Sequence, residues 1–417
     1  MREASTTSIL DWQAEPPLDP SVRFDRPLSP HAHEPRRVFL TGATGFLGAF
    51  LLHDLLHTTR ADIHCLVRDA GALPGAARLR AHLARLGLWR AEFEDRIISV
   101  VGDLGLPLLG LSRPQFDALA DRIDVIYHCG VLVDFLRSYA ALRATNVLGT
   151  QEILRLAGTG QTKAVHHTST LAVFFGRAHL DAGRVSELDT PVLDAGVKNR
   201  YTQSKWAAER LVLSARERGL PAAIYRTGRI SGHSRTGATS NEKDLLNKLL
   251  KACILLKASP EWTIDISMIP VDHVSRAMIH LAGQPRSLGR AFHLVHPRPV
   301  PWRDLIQMVV ARGYPMAPLA EDAWRAALKR AAASDHPERE SLARLWLLLS
   351  APNSLLAGRP RYETPHSDEG LRGASIVCPP IDEALVATYL SFFRESGYIP
   401  PPEGAARPAL TEQLICK

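Results

Sequence analysis

The sequence predicts an α/β fold in which helices flank a doubly wound parallel sheet. Short apolar runs alternate with longer helical segments through the first half of the chain, which is typical of βαβ units. The first run is followed directly by three glycines at regular spacing and then by an apolar helical segment. Beyond Gly232 the pattern changes to predominantly helical segments interrupted by proline. We therefore expect a second, smaller and mainly helical region after the sheet.

The three glycines follow the apolar run 38–40 and open the segment 46–56. Their G-x-x-G-x-x-G spacing is that of a strand turning sharply into a helix, whose first backbone amides can bind a dinucleotide pyrophosphate. This spacing alone is a weak signal, because glycine is common in turns. A strand before it and apolar residues at helical spacing after it make the motif more specific. The candidate cofactor residues of this loop are Gly42, Thr44, Gly45, Phe46, Leu47 and Gly48.

A second apolar run, 63–67, ends at Arg68, where an acidic residue would bind the ribose 2′-hydroxyl of NAD. A guanidinium suits the 2′-phosphate of NADP, and Arg78 lies near enough in sequence to join it. Asp69 weakens the pattern, and an arginine at a strand end is most often an exposed surface residue. Because the glycine loop precedes Arg68, the pattern favours NADPH over NAD.

The remaining elements follow from the same periodicities. Four more strands are predicted at 97–101, 125–128, 163–167 and 222–225. Later helices are predicted at 245–257, 302–312, 323–333 and 340–349. The expected organisation is a lead-in over 1–35, a Rossmann-like NADP-binding domain over 36–235 and a mainly helical substrate-binding region over 236–417, with 265–295 returning to the Rossmann core.

Tyr201 and Lys205 stand four residues apart before a helical segment, 206–213. This spacing puts the phenol and the ammonium on one helix face, where the cation can favour the phenolate and lower the pKa of the tyrosine. Y-x-x-x-K is common and usually marks an exposed pair on a helix. Here it lies downstream of a glycine loop and of a strand that ends in three hydroxyl residues, 168–170. A hydroxyl at the end of a central strand faces the crevice of a doubly wound sheet, which makes Thr170 a third candidate.

Together these motifs resemble the extended short-chain dehydrogenase/reductase superfamily. More closely, the chain resembles the thioester reductase domains that end some nonribosomal peptide and polyketide synthetases, with carboxylic acid reductase termini as near relatives. The resemblance to the superfamily depends on specific motifs, and the resemblance to thioester reductase domains depends on the sum of less specific motifs. The stretches that carry it are 41–48, 102–104, 127–130, 146–150, 201–206, 225–232, 270–272, 292–294 and 389–401.

The resemblance implies NADPH-dependent reduction of an acyl or peptidyl thioester, presented on the phosphopantetheine arm of a carrier domain, to an aldehyde. A second NADPH would take the aldehyde to a primary alcohol. It implies that Thr170 and Tyr201 stabilise the oxyanion, that Tyr201 delivers a proton, and that Lys205 binds the nicotinamide ribose. It also implies that adenine and the middle of the cofactor contact residues after the third and fourth strands, which are Asp103, Leu104, Gly130 and Val131.

Three positions qualify the resemblance. Asn146 is a weaker candidate for the proton relay, since a buried amide in a helix also has structural uses. Cys129 replaces an asparagine often found after the preceding histidine, and Thr227 stands where proline is frequent. Neither departure removes a chemical role, so both concern the details of the cofactor crevice.

Composition excludes several other classes. The 417 residues carry a net charge of +7, but the arginines are scattered rather than gathered in a basic tract, which argues against nucleic acid and is compatible with an acidic protein partner. The five cysteines form no C-x-x-C pair, and no histidine cluster has metal-ligand spacing, so no metal is expected. Neither a signal peptide nor an apolar run long enough to cross a membrane is found, so we expect a soluble, cytoplasmic protein.

Two alternative functions are also compatible with the sequence. One is a free-standing reductase of the same superfamily that acts on an acyl-CoA, an aldehyde or another carbonyl substrate. The other is a non-catalytic NADP-binding sensor or scaffold, which would have no need of Thr170, Tyr201 and Lys205 together. Turnover on phosphopantetheine-linked, CoA-linked and free substrates would separate them.

Overall fold

The computed structural model of the protein describes residues 15–69, 74–194, 197–240, 244–350 and 359–402. Within these ranges the strands are β1 (Arg37–Thr41), β2 (Asp62–Val67), β3 (Ile97–Val101), β4 (Val125–His128), β5 (Ala164–Thr170), β6 (Arg184–Val185), β7 (Ala222–Thr227), β8 (Ile230–Ser231), β9 (Ala258–Pro260), β10 (Asp265–Ile266), β11 (Ile269–Pro270), β12 (Ala291–Leu294), β13 (Val300–Pro301), β14 (Ala317–Leu319) and β15 (Arg361–Tyr362). The α-helices are α1 (Phe46–Thr58), α2 (Gly75–Arg85), α3 (Arg113–Arg122), α4 (Tyr139–Arg143), α5 (Gly149–Gly158), α6 (Arg177–Ala182), α7 (Arg200–Glu217), α8 (Leu245–Leu256), α9 (Val271–Ala282), α10 (Trp302–Val310), α11 (Glu321–Ala333), α12 (Arg339–Ser350), α13 (Pro365–Leu371) and α14 (Glu383–Glu395).

Seven strands form one parallel sheet in the order β12, β7, β5, β4, β1, β2, β3. Its central strands are buried along almost their whole length, as strands covered by helices on both faces must be. From β1 the sheet extends in one direction through β2 and β3, and in the other direction through β4, β5, β7 and β12. The loops after β1 and β4 therefore meet where the strand order reverses, and open α/β sheets bind ligands at this place. The predicted doubly wound fold is confirmed.

The predicted elements agree closely with the observed ones. β3 and β4 have the predicted bounds, and α8, α10, α11 and α12 differ by no more than two residues at either end. α7 extends past both ends of the segment 206–213 and includes Tyr201 and Lys205, as their predicted position on one helix face requires. Its side-chain cap is Asn199, which accepts a hydrogen bond from the amide of Thr202. Tyr201 and Lys205 consequently lie in its first two turns.

The chain divides into two compact units. The first comprises the described residues of Met1–Ser231, Met268–Pro297 and Pro352–Cys378, and it contains the seven-stranded sheet. The second comprises those of Gly232–Ser267, Arg298–Ala351 and Pro379–Lys417. The sequence-based division assigned 352–378 to the helical region, whereas the structure packs its described part into the first unit. No helix among the described residues is long and apolar enough to span a bilayer.

A buried carboxylate explains why this late segment returns to the sheet. Glu187, which is 3% exposed, accepts hydrogen bonds from the backbone amide of His293 on β12 and from the amides of His366 and Ser367 in α13. The Ser367 hydroxyl donates to the same carboxylate. Burial raises the pKa of Glu187, while these donors favour its charged form. A charge-assisted contact between residues so distant in sequence leaves no local sequence signal.

The described part of the lead-in, from residue 15, also packs on the first unit. Leu18 is fully buried and Val22 is 3% exposed. The Arg218 guanidinium at the end of α7 donates to the Leu18 carbonyl at 2.6 Å, and Asp19 pairs with Arg155 of α5 at 2.8 Å. This segment is therefore more than a linker, because its apolar residues belong to the core of the first unit.

The second unit is built from α8, α10, α11, α12 and α14 with two small strand pairs, β9 with β14 and β10 with β13. Three tryptophans, Trp262, Trp302 and Trp324, form its centre, with ring centroids 5.3 and 5.9 Å from that of Trp262. The indole N–H groups of Trp302 and Trp324 donate to backbone carbonyls of Pro260 and Ala258. Because all three rings are buried and the N–H groups of Trp302 and Trp324 are hydrogen-bonded, the rings form core and not an open binding surface.

Candidate functional site

The glycine loop between β1 and α1 makes close backbone contacts that only glycine allows. Gly42 has a φ of +82°, and a Cβ there would stand 2.7 Å from the amide nitrogen of Gly130. A Cβ on Gly48 would stand 2.0 Å from the Gly42 carbonyl oxygen. The Gly45 amide donates to that same oxygen at 2.8 Å, which closes the turn. The loop is therefore packed tightly against both the start of α1 and the loop after β4.

The first turn of α1 is open to an anion. Gly45 precedes Phe46, no side chain among the described residues caps this end, and the first turn contains no acidic residue. Its backbone amides and the helix dipole therefore favour a negatively charged group. With the close-packed glycines beside it, this end of α1 fits the pyrophosphate of a dinucleotide.

Helix α2 follows the end of β2 and carries the second of the two candidate arginines. Arg68 is exposed directly after the strand, with Asp69 also exposed beside it, and Arg78 is half-buried. One turn beyond Arg78, the Nε2–H of His82 donates to the Gly45 carbonyl at 3.2 Å, while the Arg85 guanidinium donates to its Nδ1 at 3.1 Å. The helix face that carries Arg78 is thus bound to the glycine loop.

The candidates after β3 and β4 take different roles. Asp103 accepts a hydrogen bond from the Gly105 amide at 2.8 Å, so its carboxylate also stabilises its own turn. Leu104 is buried, whereas Gly130 and Val131 are half-buried. Gly130 lies against the glycine loop, since its amide donates to the Thr41 hydroxyl at 2.9 Å.

A chain of hydrogen bonds runs from this amide through a buried imidazole. The Thr41 hydroxyl lies 2.8 Å from Nδ1 of His128, and Nε2 lies 3.0 Å from the Thr150 hydroxyl. Thr150 donates to the Asn146 carbonyl at 2.7 Å, so it must accept from Nε2–H. Burial lowers the pKa of His128 to about 3, helped by the nearby charge of Lys205. His128 is therefore neutral, and all the donors in the chain point from Gly130 towards Asn146.

Asn146 lies in a π-helical turn, residues 144–148, between α4 and α5. Its amide side chain accepts from the Leu132 amide at 2.7 Å and donates to the Leu132 carbonyl at 3.1 Å and to the Ser204 hydroxyl at 2.9 Å. It thereby ties the loop after β4 to α7. Such π-turns are frequent at functional sites, and here the turn aligns an amide with the helix that carries Tyr201.

The structure brings the three candidate catalytic residues to the junction of β5 and α7. The Lys205 ammonium donates to the Thr168 carbonyl at 2.8 Å, two residues before Thr170. Thr170 ends β5 half-buried, and its hydroxyl accepts from the Ala172 amide at 3.2 Å. The Tyr201 ring is half-buried and meets Phe135 edge-on, with centroids 5.4 Å apart. The Lys205 contact thus joins the helix that carries the phenol and the ammonium to the strand that ends at Thr170, and these two elements form one corner of the first unit.

Burial governs the ionisation of these groups. It lowers the pKa of Lys205 to about 8, although the Glu209 carboxylate acts in the opposite direction. It raises the pKa of Tyr201 well above its usual value, so the predicted net lowering is wrong for this structure, where the cost of burying the phenolate outweighs the attraction of the ammonium. The phenolate would lose its hydration, and the ammonium is engaged with the Thr168 carbonyl. The Cys129 thiol nearby also has its pKa raised by burial, to about 11.

Sequence reasoning missed a buried ion pair behind this corner, between Glu209 of α7 and Arg226 of β7. The sequence contains an indication of this pair, because Glu209 continues the four-residue spacing of Tyr201 and Lys205. Arg226 is a charged residue directly after the predicted strand 222–225, which is the second indication. Among the described residues, no three His, Cys, Asp or Glu side chains form a group that could hold a metal ion.

Comparisons with known proteins identify relatives of this site and fold. The model of a family described as male sterility protein, an NAD-binding family, matches residues 40–278. The chain is 42% identical over 387 residues to a subunit of the linear gramicidin synthase of Brevibacillus parabrevis, a match that covers 93% of this chain and 8% of that protein. It is 35% identical over 405 residues to the non-canonical nonribosomal peptide synthetase FrzA of a Cladobotryum species, covering 93% and 39%. The chain thus spans well under half the length of either relative.

A solved structure matches the chain along nearly its whole length. The terminal R domain from the myxalamid PKS-NRPS biosynthetic pathway superposes with a TM-score of 0.87 at 38% sequence identity. The match covers 95% of this chain and 100% of that one. Both its identity and its coverage are high enough to establish common family membership as well as a common fold.

Proposed function

Because this chain belongs to the NAD-binding male sterility protein family, among the terminal reductase domains of nonribosomal peptide and polyketide synthetases, we propose that it releases a carrier-bound acyl or peptidyl chain by reducing its thioester. The product is an aldehyde, which the same residues can reduce to a primary alcohol in a second round. The observation that best supports this proposal is the contact between Lys205 and the Thr168 carbonyl, since it joins the helix of Tyr201 to the strand that ends at Thr170.

NADPH, when bound, supplies the hydride that reduces the thioester carbonyl. The Thr170 and Tyr201 hydroxyls donate hydrogen bonds to the carbonyl oxygen as negative charge develops on it. Tyr201 then delivers its proton to that oxygen, and its raised pKa suits a donor that stays protonated until the charge develops. Lys205, as a cation, stabilises the resulting phenolate. Collapse of the hemithioacetal releases the aldehyde and the free pantetheine thiol.

Cofactor choice is part of the proposal. Gly42, Gly45 and Gly48 with the first amides of α1 would hold the pyrophosphate, and Lys205 the nicotinamide ribose. Arg68 and Arg78 would pair with the 2′-phosphate, which favours NADPH over NADH. The remaining proposed contacts, to adenine and the middle of the cofactor, are made by Thr44, Phe46, Leu47, Asp103, Leu104, Gly130, Val131 and Tyr201.

We also propose that the substrate arrives on a phosphopantetheinylated carrier domain. Both curated relatives are synthetases or synthetase subunits of which this chain matches a part. The net charge of +7 is compatible with an acidic partner, since electrostatic complementarity speeds encounter.

The test is NADPH oxidation with one acyl chain offered in three forms: on a phosphopantetheinylated carrier domain, on CoA and as the free aldehyde. Product identity is read by mass spectrometry. Tyr201→Phe should lower turnover by roughly 10³-fold because a proton donor is lost. Tyr314→Phe, which removes a phenol that binds the Pro400 carbonyl in the second unit, is the matched control and should keep normal turnover.

Each outcome has a distinct meaning. Turnover of the carrier-bound thioester that depends on Tyr201 supports the proposal. Turnover of the CoA thioester or of the free aldehyde without turnover of the carrier-bound thioester would replace it with a free-standing reductase. NADPH binding without turnover of any of the three would replace it with a sensor or scaffold.

A further inference from the structure

A buried ion pair lies one helical turn beyond Lys205. Both members are almost wholly removed from solvent, since the side chain of Glu209 is 0% exposed and that of Arg226 is 2% exposed. Nε and Nη2 of Arg226 both lie 2.9 Å from Oε1 of Glu209. Charges taken so completely out of water need an environment that fixes them.

That environment holds the pair from three sides. The Ser169 hydroxyl donates to Oε2 of Glu209. Nη1 of Arg226 donates to Nε2 of His293 at 3.2 Å, and the other ring nitrogen of His293 faces the Glu363 carbonyl at 3.0 Å. The guanidinium carbon lies 4.7 Å from the centre of the Phe174 ring. These contacts therefore fix the Glu209 carboxylate in one position.

Its position is directly related to the candidate catalytic residues. Tyr201, Lys205 and Glu209 follow at intervals of four along α7, so all three lie on one face of the helix. Lys205 donates to the Thr168 carbonyl, and Glu209 accepts from the next residue, Ser169. The residue after Ser169 is Thr170, so these two contacts set the register between the helix and the strand end.

We propose that Glu209, fixed by Arg226, is a positioning residue of this site whose carboxylate keeps Lys205 cationic and in place beside the strand end. This inference rests on the proposed function for the role of Lys205 towards the cofactor. Glu209 reaches no reacting atom itself and acts through Lys205.

The other groups around Lys205 cannot supply the counter-charge. Burial lowers the pKa values of His128 on β4 and His167 on β5, so both rings are neutral. The Cys129 thiol and the Tyr201 phenol have pKa values raised by burial, so they are neutral as well. Among the described groups that influence Lys205, Glu209 is thus the anion at neutral pH. A buried ammonium without it would lose its proton more readily.

The test measures NADPH binding as a function of pH, by fluorescence, in the wild type and in Glu209→Gln. In the wild type the affinity should fall as the pH rises through the pKa of Lys205, about 8. Without the carboxylate this fall should move down by roughly one pH unit, which lowers the affinity at pH 8 by several-fold. Glu217→Gln, which removes an exposed acid from the same helix, should leave the curve unchanged.

A second variant keeps the test decisive, because Glu209→Gln alone leaves Arg226 buried without its partner. Glu209→Gln with Arg226→Met removes both charges, so neither is left buried without its partner. If either folded variant, checked by circular dichroism, shifts the alkaline fall, the inference holds. If the folded variants bind with the wild-type pH dependence, Glu209 is structural only and the inference is overturned.

Binding also separates this inference from the proposed function. A wild-type chain that binds NADPH but reduces no thioester would refute the thioester reductase, and the pH curves would still be readable. A wild-type chain whose NADPH affinity shows no alkaline fall would refute the role of Lys205 on which Glu209 depends.

Discussion

The two ends of the candidate cofactor crevice are built in different ways. At the adenine end, Arg68 is exposed and Arg78 half-buried, so solvent and salt screen their charges. At the nicotinamide end, Lys205 is 4% exposed and bound to a strand carbonyl. The first end can therefore supply charge for recognition, while the second can hold groups in position for chemistry. Substitutions at the two ends should therefore differ in size, in salt dependence and in their effect on stability.

The largest effect is expected at Lys205, where position and charge coincide. Lys205→Met keeps most of the length of the side chain and removes the ammonium. Turnover should fall by roughly 10³-fold or more and NADPH binding should also weaken, because the phenolate and the ribose both lose their cation. Steady-state kinetics and a binding titration measure the two losses. Normal turnover in a folded Lys205→Met chain would mean that Lys205 has no special role in the chemistry.

The same substitution should change how stability depends on pH. Burial lowers the pKa of Lys205 to about 8 from its usual value of 10.5, so the unfolded chain binds its proton more tightly between these values. The wild-type free energy of unfolding should then rise with pH across this window, relative to Lys205→Met, by about 3 kcal/mol. Urea denaturation of both proteins at several pH values measures this difference. Parallel curves would mean that Lys205 is better hydrated than its position implies.

A smaller loss is expected at Thr170, which is half-buried at the end of β5. Thr170→Val keeps the shape and removes the hydroxyl, so one donor to the developing oxyanion is lost. Turnover should fall by about 10²-fold, with NADPH affinity unchanged. Thr168→Val is the matched control, since its hydroxyl belongs to the same strand and Lys205 binds its backbone carbonyl instead. Equal losses in both variants would show that strand packing, and not an oxyanion contact, explains the effect.

The smallest effect is expected at the adenine end. Arg68→Ala should weaken NADPH binding by about tenfold at low ionic strength, leave NADH binding unchanged and cost little stability, since the residue is exposed. Raising the salt concentration should reduce the difference between the variant and the wild type. An equal loss of affinity for NADPH and NADH would contradict the assignment of Arg68 to the 2′-phosphate.

Local periodicity was sufficient for most of the fold. The strands and the glycine loop depend on neighbours in sequence, and β3 and β4 were predicted to the residue. The loop could be predicted because the close approach of Gly42 and Gly48 permits no other residue type. The positions of Tyr201 and Lys205 on one helix face also follow from spacing alone.

What could not be predicted depends on tertiary contacts. The pKa of Tyr201 is set by the depth of its burial, which spacing does not reveal, so the predicted direction was wrong. Glu187 binds Ser367 although the two residues are far apart in sequence, and nothing near either residue indicates the pairing. The four-residue spacing marks Glu209 in the sequence, but only the folded structure shows that its partner is Arg226.

The chain of hydrogen bonds through His128 limits how this protein can vary. A neutral imidazole offers one donor and one acceptor, so reversing any link would leave two donors or two acceptors facing each other. A lineage that loses the hydroxyl at position 41 gains nothing by retaining the histidine, which would then bury an unpaired nitrogen. The residues at positions 41, 128 and 150 should therefore change together in evolution. A substitution of one of them by the residue of a related domain should preserve stability only when the other two are replaced as well.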